Sequence, residues 1–391
     1  MPIAEIPFNR PVLAGREMEY MQEAILRMQI SGDGHFTRQV SALLEEELPA
    51  PRVLLTSSCT HALEMAALLL NVKPGDEFIL PSFTFVSAAN AFVLRGAHPV
   101  FADIRRDTLN IDASTMERLI TSRTRAIVVV HYAGIACEME QIMEIAQRRG
   151  IPVVEDNAHG LFGDYKGKRL GTFGALATQS FHETKNITCG EGGALVINDS
   201  AYIERAEVIR EKGTNRSQFF RGLVDKYSWL DVGSSYLPSD LLAGFLLAQL
   251  EARERIQKHR QRVWEYYYAE LGEWAKENSV QLPTIPPDCG QAFHLFYVLA
   301  PSLADRQAMI GHLKSKGITA VFHYLPLHLS IMGRMFGGKP GDCPVTEEVS
   351  DRLLRLPFYN DLTEEQQAAI VHEIKNFADW APRQVRIQAA Y

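Results

Sequence analysis

The sequence predicts an α/β protein: a large domain on a mostly parallel sheet, followed by a smaller α+β domain. Three observations carry this. Short apolar runs alternate with longer amphipathic stretches across the first two-thirds of the 391 residues. The runs are nearly continuous in apolar residues, as expected of strands buried on both faces by helices. A chain of this length also exceeds one small core and suits a large unit plus a smaller one.

Taken in order, "EFILPSF" (77–83), "HPVFADI" (98–104), "RAIVVVHYAG" (125–134), "IPVVEDNAHG" (151–160) and "GALVIND" (193–199) are the strand candidates, with "TQSF" (178–181) a further short one. Helical stretches such as "ASTMERLITS" and "EMEQIMEIAQRRG" separate several of them. From Pro238 a long helical pattern runs through "PSDLLAGFLLAQLEARERIQKHRQRVWEYYYAELGEWAKEN" and changes from apolar to amphipathic. That change suggests a helix leaving one domain for another. The boundary is therefore set near residue 255: a large domain over 1–255, whose first ~20 residues are expected on the small domain, and a small domain over 256–391. Within the latter, "QLPTIPPDCGQAFHLFYVLA" reads as a loop and then a strand. "DRQAMIGHLKSKGI" reads as a helix ending at Gly317, and "LTEEQQAAIVHEIKNFADW" as a terminal helix with Thr363 as N-cap.

Composition narrows the function classes. A chain 46% hydrophobic and 22% charged is ordinary for a globular protein. A net charge of −7 argues against nucleic acid or an anionic membrane as partner, while permitting a local basic pocket. The five cysteines are odd in number and show no CxxC pair, so neither a disulfide framework nor a zinc site is signalled. The start "MPIAEIPFNRPVLAG" lacks the pattern of a signal peptide, and no apolar run has bilayer length. The expectation is a soluble, cytoplasmic protein.

Ligands of open α/β sheets sit at the carboxyl ends of the strands. "IPVVEDNAHG" places Asp156 and His159 there. Asp156 is either a helix cap or surface ion pair, or a carboxylate facing a cationic ring nitrogen or a metal. In "LLTSSCTHALEMAALLL" (54–70), hydroxyls precede an apolar helix, so Ser58 or Thr60 is a simple cap, or the segment forms an anion site favoured by the helix dipole. Lys185 lies in "SFHETKNITCGEGG", whose glycines permit close backbone approach to a ligand. A lysine in a partly desolvated pocket loses pKa and becomes a nucleophile able to form a Schiff base. Ser180 and Asn186 stand nearby to bind an anion or hydroxyl. Phe85, in "PSFTFVSAAN", is either a core aromatic or a flat group for stacking.

Together these pieces match pyridoxal phosphate. That cofactor needs a lysine for its aldehyde, an acid beside its ring nitrogen, an anion cradle and a stacking partner.

In this order the segments resemble the DegT/StrS-type sugar aminotransferases, within the fold type I (aspartate aminotransferase-like) enzymes. "SFHETKN…GEGG" is similar to the family's lysine segment, "VVEDNAHG" to its aspartate segment, and "SSCT" to its phosphate-helix segment. "PSFTFVSAANA" is similar to the ring-stacking segment and "FHYLPLH" (322–328) to a C-terminal substrate motif. The resemblance runs from "PFNRPVLAG" to the terminal helix. It implies that Lys185 carries the cofactor and shuttles a proton, and that Asp156 pairs with the ring nitrogen. It further implies that His159 and Phe85 bracket the ring, and that Thr60, the Cys59 backbone and Ser180 hold the phosphate. Where relatives carry an asparagine in a "GYNYR"-like segment reaching across a dimer, this chain has "GSSYLPSD", with Ser235 nearest that position. A homodimer with shared active sites follows from that assignment.

The implied reaction moves an amino group, with glutamate as donor, to a dTDP-linked 4-keto-6-deoxy sugar. The product is the 4-amino-4,6-dideoxygalactose nucleotide of surface-polysaccharide synthesis. Lys212, Arg216 and Arg221 in "EKGTNRSQFFRG" either face the nucleotide diphosphate or form a solvated basic loop. His323 and His328 contact sugar hydroxyls or are structural. The rivals are amination at C3, and a sugar 3-dehydratase of the same fold, whose relatives carry histidine where Lys185 stands. A third is a non-catalytic regulatory homologue.

Overall fold

The computed structural model describes residues 5–377; the close of the predicted terminal helix, at 378–380, lies outside the described residues. Seven strands form the central sheet. They are β1 (Arg52–Thr56), β2 (Glu77–Pro81), β3 (His98–Ala102), β4 (Thr124–Val130), β5 (Val153–Asp156), β8 (Leu176–Ser180) and β9 (Gly193–Ile197). Two short strands, β6 (Asp164–Tyr165) and β7 (Lys168–Arg169), make a small three-stranded sheet with β10 (Cys289–Gly290). The last pair, β11 (Tyr297–Leu299) and β12 (Leu353–Arg355), is antiparallel.

The central order is β1-β9-β8-β5-β4-β2-β3. Of these strands only β9 runs against its neighbours, pairing antiparallel with both β1 and β8. Side chains from both sheet faces are buried. Leu54, Phe78, Leu80 and Val128 meet the helices Cys59–Leu69 and Val86–Val93 on one face. Ile79, Ile127, Val129 and Val153 meet the helix Met139–Arg149 on the other. Alternate residues of one strand thus serve opposite cores, which explains the continuous apolar runs.

Predicted and observed strands differ mainly in length. The run 125–134 leaves the sheet after Val130, because Tyr132–Gly134 is a tight turn with Ala133 at φ +58°. The run 151–160 keeps only four residues in the strand, so Asn157 to Gly160 form the loop above it. β1 was not among the strand candidates, and it occupies the sheet edge.

The long pattern from Pro238 is two helices, Asp240–Glu251 and Arg253–Glu277, separated at Ala252 (φ −88°, ψ 4°). The first is apolar and packs Ala243, Leu246 and Leu247 with Tyr20, Phe36 and Val40. The second turns Val263, Trp264, Tyr267 and Leu271 to a separate core with Phe296, Leu313, Leu354 and Ile370. One straight helix has a single apolar stripe and would not serve both cores.

Ile6 is fully buried in that second core and pairs with Ile318, while Phe8 O accepts from Phe358 N. Thr363 caps the helix Glu364–Lys375 with a reciprocal Gln366 bond, a full capping box.

Candidate active site

The sheet delivers the expected residues to one end. Asp156 closes β5 and Ser180 closes β8. β1 ends at Thr56 and runs through Ser57 and Ser58 into the helix Cys59–Leu69. Because β9 is antiparallel, its first residue, Gly193, lies opposite both Thr56 and Ser180 at this end. A Cβ at Gly193 would collide with the backbone of Ser58 and Cys59, so glycine is what lets the helix start approach the sheet. Ser58 is the cap: its Oγ accepts from His61 N at 3.1 Å. Thr60 is not the cap; its hydroxyl meets Ser87 Oγ at 2.8 Å.

Lys185 follows in the loop after β8. Its ammonium makes no hydrogen bond or ion pair with another described residue, and burial lowers its pKa to about 8. Cys59 and Asp156 oppose that fall, and Arg355 adds to it. Asp156 is buried, and burial raises its carboxyl above the usual range despite a bond from Ala158 N at 3.2 Å and the nearby Lys185. Cys59 Sγ lies 3.4 Å from Thr178 Oγ1 and 4.0 Å from Asp156 Oδ1, and burial pushes this thiol up. An acid and an amine with environments pulling each toward neutrality mark a site built for a further charged group.

An aromatic wall faces them. The His159 ring stacks on His294 at 4.1 Å and 24°, and lies near Tyr132 and His323. Burial first, then nearby cations including Lys185 and Arg355, hold His159, His294 and His323 well below the ordinary histidine range. All three are neutral rings. Tyr132 Oη bonds His323 Nδ1 at 3.1 Å. Phe85 is not a core aromatic. It is 56% exposed and tilts toward Tyr324 at 6.3 Å.

Other expected residues lie elsewhere. His328 is fully buried, with Nδ1 on Ser82 Oγ (2.6 Å) and Nε2 on Glu347 (3.0 Å), so it has no nitrogen for a sugar hydroxyl and is structural. Asn186 is likewise structural, not an anion ligand: Nδ2 bonds Ala292 O and Gln257, and Oδ1 meets His294 Nδ1. These bonds anchor the residue next to Lys185. Ser235, Lys212, Arg216 and Arg221 line a separate cavity of about 950 Å³ that none of the residues around Lys185 lines. There Arg221 pairs with Glu207, and Arg216 faces Glu211 at 3.6 Å.

Sequence reasoning missed His294, Tyr324 and Arg355, which the C-terminal elements bring over the sheet, and Tyr132, held in the turn after β4 by a bond from its N–H to Asn110 Oδ1. It also missed the fully buried pair His131–Glu155 (2.9 Å) beneath Asp156. Burial works against the His131 charge, but Cys137 and Glu155 lift its pKa to about 10. Glu155 also accepts from Gly171, Phe173 and Gly174 N, fixing the loop that precedes β8.

These features fit pyridoxal phosphate. A lysine amine and a buried carboxylate share one cleft, His159 Nδ1 is buried without a partner among the described residues, and a hydroxyl-bearing helix start closes against Gly193. Among the described residues no group of three or more His, Cys, Asp or Glu is placed to hold a metal, and no helix is long and apolar enough to cross a membrane.

Comparison with known proteins agrees. The model of the DegT/DnrJ/EryC1/StrS aminotransferase family matches residues 11–375. GDP-perosamine synthase of Escherichia coli O157:H7 is 31% identical over 376 residues, 95% of this chain and 98% of its own. The crystal structure of the aminotransferase TlmJ from Streptoalloteichus hindustanus superposes with a TM-score of 0.88 at 29% identity, covering 95% of this chain and 98% of that one. DesV of S. venezuelae gives 0.87 at 28%, covering 97% and 100%.

Proposed function

Because the chain belongs to the DegT/DnrJ/EryC1/StrS aminotransferase family and is a pyridoxal phosphate-dependent aminotransferase of nucleotide sugars, we propose that it aminates C4 of a dTDP-linked 4-keto-6-deoxy sugar. Glutamate is the donor, and the product is dTDP-4-amino-4,6-dideoxygalactose for surface polysaccharide. The observation that carries the reading is the juxtaposition of half-buried Lys185 and Cys59 with buried Asp156 at the carboxyl ends of β5 and β8.

When bound, the cofactor supplies an aldehyde that condenses with amines and a cationic ring that accepts the electrons released with a Cα proton. The residues of this chain do the rest. Asp156 holds the ring nitrogen's proton, and that cation offsets the desolvation of its carboxylate. His159, braced by His294, would cover one ring face and Phe85 the other. Thr60, Ser180 and the Cys59 N–H would hold the phosphate at the helix N-terminus. Lys185, its amine shifted by burial to a pKa of about 8, takes the proton from the donor's Cα and returns one at the sugar's C4.

His323 lies on the same wall as a sugar contact. Lys212, Arg216, Arg221 and Ser235 serve the site of a second copy, so the working unit is a homodimer acting in the cytoplasm. The two domains divide near residue 255, just past the break at Ala252.

The deciding experiment incubates the protein with dTDP-4-keto-6-deoxyglucose and glutamate and solves the product by NMR. An axial amine at C4 is expected. An amine at C3, or loss of a sugar hydroxyl without amination, overturns the assignment.

A further inference from the structure

The helix Arg253–Glu277 sends one charge into the interior without a counter-ion. Arg260 is 2% exposed, and among the described residues no carboxylate pairs with it. Its guanidinium is spent on neutral oxygens. Nε donates to Phe293 O at 2.9 Å, Nη2 to His294 O, and Nη1 to Asn360 Oδ1 at 2.7 Å, while the Phe358 ring lies 4.6 Å from Cζ. Burying a cation against neutral acceptors is expensive, and an apolar side chain of similar size would fill the space at lower cost. The backbone it holds is strained as well: Phe293 sits at φ +50°, a left-handed conformation that aromatic residues rarely adopt.

Both costs fall beside the active site. Asn360 passes the contact on, its Nδ2 donating to Asn186 O at 3.0 Å. The Asn186 side chain is oriented by Ala292 O, a carbonyl that only accepts, which takes a bond from Nδ2 at 2.6 Å. Oδ1 therefore faces His294 Nδ1 at 2.9 Å, and His294, which burial keeps neutral, is the donor. That ring carries its proton on Nδ1 and its lone pair on Nε2, and it lies on His159 at 4.1 Å. From the other side Ala292 N donates to Gly134 O at 3.0 Å, in the turn after β4. The contacts that start at Arg260 thus end at the residue next to Lys185 and at the ring behind His159. A planar fork, with donors at fixed angles, is what holds two successive carbonyls and a third acceptor together.

We infer that Arg260 and Asn360 are positioning residues for the transamination: through Asn186 and the 292–294 loop they fix the backbone beside Lys185 and the tautomer and tilt of His294. The inference rests on the aminotransferase reading and adds to it two small-domain residues that act through others. The competing role is a plain structural tie, in which Arg260 only binds the small domain together.

The test compares the wild type with N360A, R260Q and R260K. Nitrogen NMR of histidine-labelled apoprotein, with H294Q identifying the His294 signal, reads the tautomer without cofactor or turnover. The wild type should show protonated Nδ1 and bare Nε2, and N360A and R260Q a mixture of tautomers. In the holoenzyme kcat should fall roughly 10- to 100-fold in both, with the KM of each substrate within about 2-fold of wild type, because displacing the proton-transferring group slows the chemical step. R260K, which keeps the charge without the fork, should fall between. Should R260Q fail to fold, N360A and R260K decide. A wild-type His294 signal or a wild-type kcat in N360A overturns the inference, and lower thermal stability with neither change leaves only the structural tie. A rise in KM alone also overturns it and makes these residues substrate contacts. If the wild-type enzyme transfers no amine, the functional reading fails, and the His294 signal still decides whether the two residues set that ring.

Discussion

At the residue scale the chemistry turns on one amine. A lysine at its ordinary pKa of 10.5 is almost wholly protonated at pH 7, whereas one at about 8 is about one-tenth neutral. The gain in free amine is on the order of 100-fold. The folded-state pKa is lowered, so the reactive neutral form grows as pH rises and saturates above the pKa. Capture of pyridoxal phosphate by the apoprotein, followed by absorbance, should therefore accelerate through pH 8 and level off beyond it. An inflection near 10.5 would mean that burial does not tune Lys185. Substituting Lys185→Ala should remove both turnover and the borohydride-trapped cofactor label. Asp156→Asn should retain the fold but weaken cofactor binding and slow proton removal, on the order of 100-fold or more. An unchanged rate in that variant would assign the ring nitrogen to another acid.

At the element scale, helix starts build the site. Ser58 caps the helix whose start closes against Gly193, so Ser58→Ala should cost about 1 kcal/mol in denaturant unfolding. Gly193→Ala presses a methyl into the Ser58–Cys59 backbone and should cost roughly 1–3 kcal/mol, with cofactor affinity falling in parallel. A variant of wild-type affinity would remove this contact from the cradle.

The same elements explain what the sequence revealed. Ser58, Asp156 and Lys185 were legible because each stands at a boundary where an apolar run stops, a local signal. Thr363 was legible for the same reason, its partner Gln366 being three residues away. The helix His35–Glu47 shows the opposite case. Its N-cap is Gly34, and the acceptor for Phe36 N and Thr37 N is Asp240, about two hundred residues later. Arg355, Tyr324 and His294 were hidden likewise. Each is an ordinary residue in its own segment and acquires a role only when the C-terminal strands close over the sheet. His328 and Asn186 looked like ligands for the converse reason, since a polar residue beside a motif does not disclose partners supplied from elsewhere in the chain.

At the scale of the whole molecule, two features of a single chain point to a second copy. The helix Glu17–Leu26 and the turn after it expose Ile25, Leu26 and Met28, the last at 92%. The segment after Phe219 exposes Phe220, Leu223, Trp229 and Leu230, with Trp229 at 80%. Such clustered apolar surface is what an obligate interface covers. Beside it lies the cavity lined by Lys212, Arg216 and Ser235, away from the Lys185 cleft. If that loop serves the neighbouring subunit, the two halves of each active site come from different chains, and two inactive variants can repair each other. Lys185→Ala lacks the amine; a Lys212→Ala, Arg216→Ala double variant lacks the basic loop. Mixed at equal amounts and allowed to exchange, they form heterodimers as about half of all dimers. Each heterodimer has one site with both defects and one with neither, so about one quarter of wild-type activity should return. Light scattering gives the dimer mass independently. Exchange that produces heterodimers but restores no activity would place the basic loop and Lys185 of one chain in the same site.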